Sequence, residues 1–89
     1  MARRETGAFE INGLAPSGSM PDALLELGLM YCTGRDVDLD LVSAHKWFNL
    51  AAMRGNASAK VYRMEIAREM TRVQIADAQR QAREWLARH

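Results

Sequence analysis

From residue 22 onward, apolar side chains recur at three- and four-residue spacing in four successive segments, each bounded by residues that start or stop helices. Pro21 and Asp22 suit a first helical turn, and "ALLELGLMY" then runs to a turn at Thr33-Gly34. Asp40 stands at the N-cap position of the second segment. Its carboxylate can accept from the free backbone N–H groups of the next turn and favours the positive end of the helix dipole. That helix is predicted over about 41–54 and ends at Gly55, which tolerates the left-handed conformation of a helix terminator. Asn56 caps a third helix over about 57–70, and Thr71 with Gln74 forms a capping-box pattern that opens a fourth from 72 to about 88. No window alternates in the manner of a strand. The pattern predicts an all-α fold of two antiparallel helical hairpins, four helices in all, forming a short α-solenoid. An irregular arm over 1–21 precedes them, with Phe9, Ile11 and Leu14 as its bulky apolar groups.

Helical projection assigns faces. In the second helix Leu41, Ala44, Trp47, Phe48, Ala51 and Ala52 share one side, with Lys46, Asn49 and Met53 opposite, which predicts packing on one face only. His45 falls at the margin of that stripe, where a partly exposed imidazole is expected. The third helix gathers Ala59, Tyr62, Ile66 and Met70. The fourth gathers Ile75, Ala78, Ala82, Trp85 and Leu86, with Asp77, Arg80, Gln81, Glu84 and Arg88 on a solvated face. The first helix differs from the others. Leu24, Leu27, Gly28 and Tyr31 mark one side, yet Leu25, Leu29 and Cys32 mark the reverse, and Glu26 is the one charged residue between Asp22 and Arg35. A helix apolar all round needs cover on two sides.

Composition narrows the classes. A chain of 89 residues makes one small domain with a thin core. A hydrophobic content of 48% with 26% charged residues excludes wholesale disorder, and a net charge of +1 gives no footprint for nucleic acid or an anionic membrane. Cys32 is the single cysteine, so neither an internal disulfide nor a thiolate metal cluster can form, and a cytoplasmic location is expected. Arg3-Arg4 is not followed by the continuous apolar stretch of an export signal, and no segment has the length of a membrane span. Asp36, Asp38 and Asp40 alternate like the first ligands of a calcium loop. The sixth position is then Leu41 and the twelfth Trp47, where that loop needs glycine and a bidentate glutamate, so no metal is expected. Asp36 and Asp38 read as solvated loop charges. Cys32 and His45 are the only thiol and the only interior imidazole. Without a phosphate cradle, paired carboxylates or a His-Glu metal motif they suggest no catalysis and no cofactor.

From Ala23 to Ala59 the spacing A-x-x-x-L-G-x-x-Y-x-x-G, then V-x-x-D-x-x-x-A-x-x-W-F-x-x-A-A-x-x-G-x-x-x-A, is met by Ala23, Leu27, Gly28, Tyr31, Gly34, Val37, Asp40, Ala44, Trp47, Phe48, Ala51, Ala52, Gly55 and Ala59. This resembles one full Sel-one-like repeat, a helical-hairpin relative of the tetratricopeptide repeat. Asp36 stands where that family usually has a second glycine, which puts the turn there in question. Beyond Ala59 the pattern fades, with Arg63 and Met64 where Leu-Gly should recur, although "AREW" at 82–85 echoes "AHKW" at 44–47. The chain then divides into an arm over 1–21 and a repeat domain over 22–89, made of a repeat at 22–56 and a degenerate capping hairpin at 57–88.

The resemblance implies a protein–protein interaction or adaptor module that is not an enzyme, with an unidentified protein partner. Its candidate edge is the first helix, at Leu25, Leu29 and Cys32 with Glu26, to be covered by the arm, by a second copy of the chain in a homodimer, or by another protein. An alternative is a helix-turn-helix over 50–65, with Ala51 and Gly55 at turn spacing, Val61 pointing inward, and Lys60 and Arg63 offered to DNA. The net charge argues against a nucleic-acid partner. The two readings make opposite demands on Val61, which lies aside in the repeat and is buried in the alternative.

Overall fold

The computed structural model describes residues 19–89; of the predicted arm, residues 1–18, with Phe9, Ile11 and Leu14, lie outside the described residues. Four helices follow in order, α1 (Met20–Thr33), α2 (Leu41–Met53), α3 (Ala57–Ala67) and α4 (Arg72–Arg88), and the described residues contain no strand. The fold is all-α.

Each helix starts at a side chain that takes up an otherwise unpaired N–H of its first turn. Asp40 Oδ1 accepts from Ser43 N at 3.2 Å, and the Ser43 hydroxyl donates to Oδ2 at 2.8 Å, so both oxygens of this aspartate are engaged in capping. Asn56 accepts from Ala59 N at 3.0 Å, and Thr71 and Gln74 make the reciprocal capping box at 3.1 and 2.8 Å. The first helix begins earlier than the sequence suggests. Ser19 is its cap, accepting from Asp22 N at 3.3 Å, and Pro21 falls inside the first turn. Asn56 does a second job, its Nδ2 donating to Asp22 Oδ1 at 3.1 Å, which ties the cap of α3 to the start of α1.

Helices α1 and α2 end alike. Gly34 has φ 73° and Gly55 φ 103°, values that cost an L-residue steric strain, and the next amide in each case donates to the carbonyl five residues back, Arg35 to Met30 and Asn56 to Ala51, both at 3.0 Å. Asp36 also lies in the left-handed region, at φ 64°. The aspartate thus holds the conformation that glycine takes most freely, and Asp40 N donating to Tyr31 O at 2.9 Å closes the loop back onto α1. The third helix stops at Ala67 and not at Met70. Arg68, Glu69 and Met70 donate to carbonyls three residues back, tightening the chain so that Thr71 can take the extended backbone its cap requires.

Packing centres on α2, which makes close contact with α1, α3 and α4. This corrects the one-faced reading of that helix: Met53 is its only exposed residue. Leu50, which projection left off the stripe, is fully buried, and so is Phe48, while Trp47 is half-buried. Phe48 packs against Gly28, and a Cβ at that position would overlap the Phe48 ring. The other ring contact of Phe48 is Tyr62 of α3, stacked at 5.3 Å and 18°. Ala44, Ala51, Ala59, Ala78 and Ala82 are buried, so small side chains let the helices close in. Trp47 meets Trp85 of α4 edge-on, 5.9 Å between centroids and 83° between planes.

His45 is the second correction. It is 3% exposed and its Nδ1 has no hydrogen-bond partner among the described residues. Burial, aided by the nearby Arg63 guanidinium, holds its pKa below the usual imidazole value.

Three measurements follow from this packing. Gly28→Ala should cost about 1–3 kcal/mol through overlap with Phe48, despite alanine's better helix propensity, and Phe48→Ala about 3–5 kcal/mol, with a smaller loss for half-buried Trp47→Ala, all read as urea midpoints at constant slope. Asp36→Gly should raise stability by about 0.5–1 kcal/mol by releasing left-handed strain of about 1–2 kcal/mol against glycine's greater unfolded entropy. His45 stays neutral when folded but takes a proton in the unfolded chain below about pH 6.5, so its contribution is complete above that value and declines as pH falls toward its lower folded pKa. The midpoint temperature should therefore drop between about pH 7 and 5, and His45→Gln should flatten that slope.

Candidate functional site

The first-helix edge is built by the register of α1. Leu24 and Gly28 are buried toward α2, which leaves Leu25, Leu29 and Cys32 at the flank. All three are half-buried and lie against the buried cluster, while Glu26 is exposed and held by Arg35 at 2.7 Å. An exposed pair of this kind adds little stability. Its geometric effect is to draw the one charge of this stretch toward the loop. Burial pushes the Cys32 thiol up, and its hydrogen is directed to Leu29 O at 3.5 Å, both opposite to what a nucleophilic thiolate requires.

A second surface was not anticipated from the helical projections. On α3 only Ala59 is buried, and Val61 and Met64 are 55% and 56% exposed. Ser58, Val61, Tyr62 and Glu65 line a shallow groove of about 320 Å³ there. The signal was present in the sequence, since Val61 and Met64 lie on neither side of the predicted core stripe. The missing information was how little of α3 the rest of the chain would cover.

The exposure of Val61 also bears on the helix-turn-helix alternative, which needs that side chain inside. Of its two candidate DNA-contacting residues, Lys60 is exposed and Arg63 is half-buried, its guanidinium donating to Asn49 Oδ1 at 2.6 Å. Arg63 is thereby committed to joining α3 to α2.

The third surface lies between α2 and α4. Lys46, Arg80, Gln81, Glu84, Trp85 and Arg88 line an open cleft of about 270 Å³. Trp85 of the lining meets Trp47 edge-on, with the Lys46 ammonium 4.3 Å from the Trp47 ring centroid and the Arg54 guanidinium 5.7 Å from that of Trp85. His89 stacks on Trp85 at 4.3 Å. Sequence reading placed Arg80, Gln81, Glu84 and Arg88 on the solvated face of α4 but did not bring Lys46 to them, because that meeting depends on how α4 crosses α2.

Among the described residues, no three His, Cys, Asp or Glu side chains gather as metal ligands, and no helix is long and apolar enough to cross a membrane. No curated protein and no solved structure matches the chain. A family does match. Residues 21–56, which hold α1, the aspartate loop, α2 and the Asn56 cap, correspond to the Sel1 repeat. The match covers less than half of the chain, and it coincides with the segment in which Gly28 and Phe48 interlock and Asn56 reaches back to Asp22. The first hairpin of this chain is thus similar to a Sel1 repeat.

Proposed function

We propose that the chain is a non-catalytic adaptor that works through protein–protein contact and associates with a second copy of itself through the back of α1. A Sel1 repeat points to a protein-interaction module, which is the coarser part of this reading. The finer part rests on one observation. Leu25, Leu29 and Cys32 remain half-buried along one flank of α1, and the only charge among them, Glu26, is drawn aside by Arg35. A repeat buries its apolar face against neighbours, and the flank of α1 has none from α3 or α4 to match the contact α2 receives. A two-fold copy would supply one with the same residues.

In this reading residues 57–88 are a degenerate hairpin that closes the other end. The polar face of α4, where Arg80 bridges Asp77 and Glu84, suits a surface that is not extended by a further repeat.

The test is the molar mass as a function of concentration for the wild-type chain and for Leu29→Glu, with melting curves on the same samples to separate lost folding from lost association. A carboxylate at the centre of the edge should weaken the dimer at least ~30-fold. A wild-type chain that stays monomeric throughout overturns self-association and assigns the flank to other cover.

A further inference from the structure

The three cations of the cleft between α2 and α4 are held in different ways. Arg80 is committed, donating to Asp77 and, at 2.7 Å, to Glu84. Lys46 and Arg88 have no carboxylate partner among the described residues. Lys46 instead faces the Trp47 ring. A ring face attracts an ammonium without consuming its N–H donors as a carboxylate does, so Lys46 is positioned while its donors stay open to a ligand. Trp47 itself is fixed by its edge contact with Trp85, so the cation stands on a braced support. Arg88 projects one turn beyond Glu84, whose Oε2 is taken by Arg80. Gln81 Nε2 donates to Asp77 Oδ2 at 3.3 Å, which leaves its carbonyl oxygen to accept.

We infer that this cleft binds an acidic segment of a partner protein, with carboxylates on Lys46 and Arg88 and a backbone N–H on Gln81. Charge complementarity selects the ligand, since Lys46 and Arg88 are the unspent charges among the lining residues. It also selects a peptide over a nucleic acid. A phosphodiester strand presents charge at every step and needs an unbroken basic track. Here Glu84 stands between Arg80 and Arg88, and the whole chain carries only +1. A peptide can place two carboxylates and skip the position facing Glu84. This inference rests on the interaction-module reading but not on self-association through α1, and the two tests address different surfaces, so either can fail alone.

The probe is a fluorescein-labelled hexaglutamate peptide, titrated with the full chain at low ionic strength and followed by anisotropy, with the Trp47 and Trp85 indole N–H resonances as a local readout. Saturable binding is expected, with both indole signals shifting. Lys46→Glu/Arg88→Glu should weaken it at least ~tenfold. Lys60→Glu/Arg68→Glu, an equal charge change at exposed positions on and just after α3, should leave it within ~twofold. Absent saturation, equal loss in both double variants, or unmoved indole signals would overturn the site. Tighter binding of a thymidine oligonucleotide of equal charge overturns the choice of a peptide. If the cleft variant fails to fold, the indole shifts of the wild type decide.

Discussion

The contact of the Phe48 ring with the backbone at Gly28 is the constraint on which the rest of the architecture depends. A buried aromatic ring needs a flat, close neighbour, and in a helix only glycine offers bare backbone at that distance. Once α1 lies this near α2, Leu24 is buried with them, and Phe48 also stacks on Tyr62. The buried alanines of α2, α3 and α4 extend the same principle to the other helices. The ends are then fixed by hydrogen bonds, Asp40 N to Tyr31 O at the loop and Asn56 to Asp22 across the hairpin.

A helix buried on most sides imposes a division of labour on a small domain. With α2 taking contacts from three neighbours, α1, α3 and α4 each present one face to it and another outward. Those outward faces differ in chemistry. The α1 flank is leucine-rich and half-covered, the outer face of α3 exposes Val61 and Met64, and α4 carries ion pairs together with the cations near Lys46. The proposed interaction role would use such residual surfaces, with apolar burial on one side and charge on another.

His45 shows the cost of this arrangement. On a helix with one buried side it would have reached water at the margin, and its ring nitrogen would have been hydrated. The extra neighbours of α2 enclose it and leave Nδ1 without a partner among the described residues, and that burial holds the imidazole pKa below its usual value.

Helix existence and most helix ends were legible in the sequence because they are set by near neighbours, although α1 starts before Pro21 and α3 stops short of Met70. Asp40, Asn56 and Thr71 cap the turns that follow them, and Gly55 ends α2, as short-range hydrogen bonding and backbone sterics require. The spacing of Gly28, Trp47, Phe48 and the alanines likewise carried the repeat, and with it the first hairpin. What the sequence left open was how many neighbours each helix would have. A helical projection weighs the residues of one helix against a single core direction, so it missed Leu50 and His45 on α2 and the uncovered side of α3. It also left Lys46 and Arg88 apart, although they line one cleft. Short-range bonding is written residue by residue along the chain, whereas burial depends on the sum of contacts from distant segments, and only the packed tertiary structure performs that sum.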